Sequence, residues 1–178
     1  MSDPSDSLDL IRSMWSFHDW ARPRLLAACR TTDPDDLHRR GVIPGGVGDG
    51  SIHDALSHIA GCEWLWLRRW LGEGRARLPT GVDYADLQAI GSEWNATGHA
   101  RAEYLTSLRA DDLRRDVEYH RFSKGTDERL PLWQTLLHAA NHSTHHRAEV
   151  CAALTGLRHP PETVDLIDYW RSTREPNR

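Results

Sequence analysis

Leu137-His138-Ala139-Ala140-Asn141-His142-Ser143-Thr144-His145-His146-Arg147 is the central stretch of the longest helix that the sequence predicts in this chain of 178 residues. Apolar residues recur around it at every third or fourth position from about Leu132 to Leu157, and two prolines that follow prevent the helix from continuing. The histidines at 138, 142 and 146 follow one another at intervals of four, so they form one stripe along the helix. The sequence therefore predicts a long helix that carries a row of imidazoles.

This row of imidazoles suits a metal ion, because two His at positions i and i+4 of a helix can reach the same ion. At 100° per residue, the row lies on the side of the helix opposite Trp133, close to Ala139 and Val150. Small and apolar neighbours of this kind indicate that the row lines an inner cleft. The alternatives are a solvated polar face and core histidines bonded to backbone carbonyls.

Three further long helices are predicted from the same periodicity. The four segments run from about Ser7 to Arg30, from Ser51 to Trp70, from Tyr84 to Leu108 and from Leu132 to Leu157. Pro23 lies inside the first segment and is expected to kink or interrupt it. Four long helices with polar connections predict an all-α fold, a four-helix bundle with one or two long crossovers.

The connections between these helices also carry signals. The run from Thr31 to Gly50 is rich in Asp, Gly and Pro and predicts a loop. Val117, Tyr119 and Phe122 show a weak period of two before the last long helix, which predicts a short β or extended excursion there. A last short helix is expected from about Thr163 to Arg171.

A metal site on the long helix needs a further ligand from another helix. His58 on the second helix lies at the edge of its apolar face, and Cys62 follows four residues later. Cys62 is either a partner of His58 in a ligand pair or a small core residue. Three neutral His ligands would leave an open position and the full charge of a divalent ion, which lowers the pKa of a bound water or thiol.

Composition excludes several classes of protein. Lys and Arg number 22 against 26 Asp and Glu, a net charge of −4, so the chain has no basic footprint for nucleic acid. It has no apolar run of the roughly 20 residues that cross a membrane, and its first residues do not resemble a signal peptide. The three cysteines are isolated, without a disulfide framework or a CxxC pair. These features predict a cytoplasmic protein with no nucleic-acid or membrane partner.

Several charged residues have two interpretations each. Arg101, which interrupts the apolar face of the third helix, and Arg147, which follows the last His, either bind an anionic substrate or form ion pairs. Glu63 and Glu149 could hold the second nitrogen of a ligand imidazole, and Glu149 is better placed because it shares the His face. The eight Trp of the chain exceed the needs of one small bundle, which predicts a homodimer.

The chain resembles the DinB/YfiT family of metal-dependent four-helix-bundle proteins over nearly its whole length. The resemblance rests on Ser51-Ile-His-Asp-Ala-Leu-Ser-His58-Ile, on Asn141-His-Ser-Thr-His-His-Arg147 and on Leu154-Thr-Gly156, with support from Asp165-Leu-Ile-Asp-Tyr169 and Met14-Trp-Ser-Phe-His-Asp-Trp-Ala. It implies one DinB-like domain over residues 1–178. It also implies a homodimer.

The resemblance further implies a ligand set for one divalent ion, namely His58, His142 and His146. Zn²⁺ is the first expectation for this ion, with Ni²⁺, Fe²⁺ and Mn²⁺ as alternatives. His138, Glu149, Arg147 and Cys62 are expected beside the ligands or in the cleft. Arg147-Ala148-Glu149 stands where relatives commonly have Arg-Gly-Gln, and His145 stands where Tyr is frequent.

The implied function is a metal-dependent enzyme that activates a small thiol, of the thiol S-transferase or isomerase type. Some relatives use mycothiol or bacillithiol. The alternatives are a metal-dependent hydrolase and a stress-related protein that binds metal or small molecules without turnover. No residue is singled out as catalytic. A pocket for a thiol cofactor should have a cationic rim around the metal, whereas a protein that only holds metal needs none.

Overall fold

A computed structural model describes residues 4–174 of the chain, and four of its helices form a bundle. The helices are α1 (Pro4–Arg30), α2 (Pro34–Leu37), α3 (Ile52–Trp70), α4 (Leu87–Ser107), α5 (Leu132–Gly156) and α6 (Leu166–Thr173). Both α1 and α3 pack against α4 and against α5, so the helices alternate around the bundle in the order α1, α4, α3, α5. The chain therefore crosses the bundle diagonally from α1 to α3 and from α4 to α5, which confirms the predicted four-helix bundle with long crossovers.

The predicted β excursion is a hairpin in the second crossover. Strands β1 (Asp116–Arg121) and β2 (Thr126–Pro131) pair antiparallel, with Tyr119 opposite Glu128. Gly125 adopts a positive φ of 66° in the turn between them, a conformation that glycine adopts without strain. Tyr119 is buried, so the inner face of the hairpin closes one end of the bundle.

The N-terminus of α3 is fixed to the preceding loop. Ser51 accepts a hydrogen bond from the Asp54 amide at 3.1 Å, and the Asp54 carboxylate accepts one from the Asp49 amide at 2.9 Å. Gly48 has a positive φ of 60° and lies so close to Asp54 that a Cβ there would be 2.0 Å from a carboxylate oxygen. These contacts fix the first turn of α3, the helix that carries His58.

Three expectations about the helices are corrected. Helix α1 continues through Pro23, because Pro23 is exposed and buried residues on either side of it hold both halves of the helix in the bundle. Helix α4 begins at Leu87 rather than near Tyr84, and α6 spans Leu166–Thr173 rather than about 163–171. Trp133, which the helical projection places opposite the His row of α5, is 42% exposed.

The core is divided into two apolar clusters along the bundle. One contains Leu25, Ile59, Trp94 and Leu154, and the other contains Trp15, Trp70, Leu105 and Leu136. Polar side chains lie between them on all four bundle helices, at the level of residues 18–22, 57–63, 97–101 and 143–147. The middle of the bundle is therefore a polar level. Within residues 4–174, no helix is long and apolar enough to cross a membrane.

Candidate metal centre

Two helical pairs of side chains face each other across the contact between α3 and α5. His58 and Cys62 form the pair on α3, and His142 and His146 form the pair on α5. His58 Nε2 lies 3.1 Å from His142 Nε2, and Cys62 Sγ lies 3.6 Å from His58 Nε2. The centroid of the His146 ring is 4.7 Å from that of His58 and 4.5 Å from that of His142. The fold thus brings together the three predicted His residues and Cys62.

These separations suit a single metal ion. Zinc binds imidazole nitrogen at about 2.0 Å and thiolate sulfur at about 2.3 Å, so tetrahedral geometry places two nitrogens about 3.3 Å apart and a nitrogen and a sulfur about 3.5 Å apart. The observed N–N and N–S distances agree within a few tenths of an ångström. One donor atom each from His58, Cys62 and His142 lies within 4.8 Å of the other two. This His/Cys/His group therefore fits a divalent ion.

All three donors are held in their neutral forms. Burial, followed by the neighbouring His146, lowers the pKa of His58 to about 4. Burial and the adjacent imidazoles of His146 and His58 lower the pKa of His142 to about 3. Burial raises the pKa of the Cys62 thiol to about 12. The imidazoles therefore offer lone pairs at neutral pH, and they would leave the charge of a bound cation unchanged.

Glu149 orients the second imidazole of the α5 pair. Its Oε2 lies 2.7 Å from His146 Nδ1, and its Oε1 lies 3.2 Å from His145 Nε2. A carboxylate only accepts hydrogen bonds, so Nδ1 of His146 is the donor in this contact and Nε2 is the nitrogen left for a metal. This is the arrangement in which carboxylates orient metal-ligating histidines. His145, His146 and Glu149 also form a second group of closely spaced donors, more exposed than the first.

A buried layer of charges lies behind the donors and accounts for residues that the sequence offered as site candidates. Arg101 is fully buried and donates to the carboxylates of Glu63 and Asp19. Ser143 donates to the other oxygen of Glu63 at 2.9 Å. Glu63 therefore holds Arg101 and Ser143 rather than a ligand imidazole, and Arg101 forms an ion pair.

Arg147 belongs to the same buried layer. Its Nη1 donates to Nδ1 of His18 at 3.0 Å, and its guanidinium lies over the ring of Phe17 at 4.7 Å. Burial and then the positive charge of Arg147 lower the pKa of His18 well below its ordinary value. The structure thus places Arg147 in the bundle interior, facing α1.

A cleft of about 750 Å³ opens from the donors toward the hairpin. His58, Cys62 and His142 line one end, and His138 lies beside them with its ring 5.4 Å from that of Trp66. The remaining lining includes three arginines, Arg69, Arg77 and Arg121, together with Tyr119, Phe122 and Glu128. The cleft is therefore apolar on its walls and positively charged beyond the donors.

Arg69 is the innermost of the three arginines. It is buried, its guanidinium lies 4.6 Å from the ring centroids of both Trp66 and Tyr119, and its Nη2 donates to the backbone oxygen of His120 at 3.2 Å. Its Nε has no partner among the described residues. No carboxylate of residues 7–174 lies within 4 Å of the Arg69 or Arg77 guanidinium, so both charges remain available to a ligand.

Sequence reasoning did not single out these cleft arginines. Arg69 lies seven residues after Cys62, two turns farther along α3. This spacing places Arg69 on the same side of the helix as Cys62 and could have identified it from the sequence. Arg77 and Arg121 come from a loop and from β1, where no helical period connects them to the histidines. Their contribution depends on the tertiary position of the hairpin.

Comparison of the sequence with known proteins identifies the family of this chain. The sequence model of the DinB family matches residues 1–178, the whole chain. No curated protein matches it. With a helical bundle, a His/Cys/His group able to bind metal and a match over its full length, the chain belongs to the DinB family.

Proposed function

We propose that the protein is a metal-dependent enzyme that activates a small anionic thiol, of the thiol S-transferase or isomerase type. His58, His142 and His146 hold one divalent ion, with Zn²⁺ as the first expectation. The observation that carries the proposal is the cleft, in which neutral donors at one end are followed by three arginines. A protein that only holds metal has no use for such a rim.

The donors set the chemistry. A divalent ion on neutral ligands supplies a strong preference for the thiolate over the thiol form of a bound sulfur, and so activates it at neutral pH. Glu149 keeps His146 in the tautomer whose Nε2 is free to coordinate. The surrounding apolar walls limit water at the reacting sulfur. Such a site requires no serine or cysteine nucleophile from the protein.

The arginines define the rest of the ligand. Arg69 lies about 10 Å along α3 from Cys62, a separation that a small thiol with a carboxylate or phosphate can span. Its planar guanidinium can donate two parallel hydrogen bonds to such a group. Arg77 extends the positive charge to the mouth of the cleft, where Arg121 is paired with Glu128. An anionic thiol therefore fits this cleft better than a neutral one.

Hydrolysis is the second enzymatic reading, and it would require a free general base beside the donors. Glu128 lines the cleft, but its Oε2 accepts from Tyr119 at 3.0 Å and its Oε1 lies 3.5 Å from Arg121. Glu149 is bound to His146 and His145. Both carboxylates therefore already have partners, which favours thiol activation.

The test is titration of the Co²⁺-loaded protein with mycothiol, bacillithiol, glutathione and coenzyme A. It is run on wild type and on Cys62→Ser, so that a protein sulfur is not mistaken for the ligand's. An intense near-ultraviolet sulfur-to-cobalt band that appears in Cys62→Ser with one thiol supports the proposal. Full metal occupancy with no new band for any thiol contradicts it and leaves hydrolysis or simple binding.

We also propose that the protein is a homodimer. Leu10, Trp133 and Leu137 are exposed apolar side chains that line one groove between α1 and α5. A second copy of the chain would cover this surface, as apolar patches at interfaces usually are. Light scattering should give twice the chain mass of 20.3 kDa, and Trp133→Glu should halve it without loss of bound metal. A monomeric wild type contradicts the proposal.

A further inference from the structure

We propose that Cys62 is a fourth protein ligand of the metal and that an arriving thiol takes its place. Cys62 thus closes the site until a thiol enters the cleft. The replacement of Cys62 by an arriving thiol rests on the proposed function, whereas ligation of the metal by Cys62 is independent of any substrate.

The first argument is the position of the sulfur. Cys62 Sγ lies 3.6 Å from Nε2 of His58, the nitrogen that also lies 3.1 Å from His142 Nε2. A tetrahedral zinc site requires about these separations between its sulfur and nitrogen donors. His58 and Cys62 also repeat on α3 the four-residue spacing of His142 and His146 on α5. With the His146 ring centroid 4.7 Å from that of His58, the two facing pairs offer four side chains that can donate, and zinc takes four donors.

The second argument is what surrounds Cys62. It is buried, yet it belongs to neither apolar cluster of the bundle, whereas Cys29 packs within the first cluster and Cys151 packs against it. The Cys62 sulfur lies 3.6 and 3.8 Å from the two ring nitrogens of His58. Cys62 is thus a buried side chain whose sulfur lies beside an imidazole, outside both clusters.

The third argument concerns access. Cys62 lines the cleft together with His58 and His142, so a ligand that enters between the arginines can reach its sulfur. His146 is held by its hydrogen bond to Glu149. Cys62 lies on α3, so an incoming sulfur can take its place without moving α5.

The exchange is balanced in atoms and charge. One metal–sulfur bond to Cys62 breaks, one metal–sulfur bond to the ligand forms, and the proton of the arriving thiol ends on the Cys62 sulfur. No oxidant or additional base is needed. Buried Cys62 then remains as a neutral thiol.

The ligation is tested first, on Co²⁺-loaded protein with no thiol added. Wild type and the control Cys151→Ser should show a sulfur-to-cobalt band, and Cys62→Ser should lose it while the three His still bind about one ion per chain. Its affinity for the ion should fall about tenfold or more. A wild-type spectrum without the band overturns the inference and leaves the proposed function intact.

The exchange is tested second, by X-ray absorption of the zinc protein together with calorimetric binding of the four thiols named above. The expected result is one sulfur ligand before and one after a thiol binds. Two sulfur ligands after binding show that Cys62 stays in place, which overturns the exchange. If Cys62 binds the metal and no thiol binds, the proposed function fails instead. The metal would then have four protein ligands and no position for a substrate sulfur.

Discussion

Two polar clusters lie at the same level of the bundle and share helices α3 and α5, and they differ in how their nitrogen groups are paired. In the buried layer, Arg101 is matched by Glu63 and Asp19, and Arg22 lies 3.0 Å from Asp19. In the metal centre, His58 and His142 face each other as neutral rings with no carboxylate at their Nε2 atoms. Both carboxylates of the layer are paired with arginines of the protein. The metal centre has lone pairs beside a positively charged cleft, and under the proposed function a cation and an anionic thiol would complete it.

The largest effect should follow from breaking the layer. Glu63→Gln leaves a fully buried Arg101 with only Asp19, and removal of one partner of a buried pair costs about 3–5 kcal/mol of stability. Urea denaturation of the metal-free protein measures this loss. The matched control is Glu73→Gln, which removes an exposed partner of Arg68 and should cost less than about 1 kcal/mol. Equal losses for the two variants would show that the layer is not a structural element.

A substitution in the metal centre should affect metal binding strongly and the stability of the metal-free protein only slightly. His142→Ala should lower metal affinity by more than about 100-fold, because the variant loses a ligand rather than a supporting contact. The stability of the metal-free protein should change by about 1 kcal/mol or less, since the ring has no charged partner. Elemental analysis and metal-free denaturation measure the two quantities. Asn141→Ala, on the exposed side of α5, is the control, and wild-type metal content in both His142→Ala and His146→Ala would contradict the ligand assignment.

Sequence and structure agree best where one period organises the residues. The His row of α5, His58 on α3 and the capped start at Ser51 all follow from helical spacing, and the fold places them as expected. The cleft arginines come from a helix, a loop and a strand, so no single period connects them. Arg101 was visible as a charge on an apolar face, but its two carboxylate partners lie on other helices and depend on packing.

A third prediction concerns how the stability of the buried layer depends on pH. His18 of the buried layer accepts from Arg147, and burial and that charge lower its pKa in the folded state, whereas the unfolded chain titrates near 6.5. The unfolded state therefore binds more protons below pH 6.5, and the stability of the metal-free protein falls as the pH drops from there. One excess proton corresponds to about 1.4 kcal/mol per pH unit.

His18→Gln should reduce this slope by one proton, because the amide oxygen can accept from Arg147 but does not titrate. Denaturation midpoints between about pH 7 and about pH 5 measure the slope, above the range where most carboxylates titrate. The other histidines with lowered pKa values contribute equally to both proteins, so they cancel in the difference. Parallel pH profiles for wild type and variant would show that His18 takes up its proton in the folded state as well.

The smallest effect is expected at the mouth of the cleft, from removal of the unpaired positive charge of Arg77. Arg77→Met removes an exposed guanidinium that rests 4.6 Å from the Phe122 ring and keeps the apolar part of the side chain. Binding of anionic thiols to the metal-loaded protein should weaken about threefold to tenfold, with less effect at high salt, because exposed charges are screened. Binding of uncharged 2-mercaptoethanol should stay the same. Arg75→Met is the matched control, since Arg75 is nearby but already paired with Asp127 at 3.3 Å. If Arg75→Met and Arg77→Met weaken the binding of anionic thiols equally, the effect comes from the overall charge of the protein rather than from the cleft. The unpaired arginine charge of the cleft would then have no role in binding the ligand.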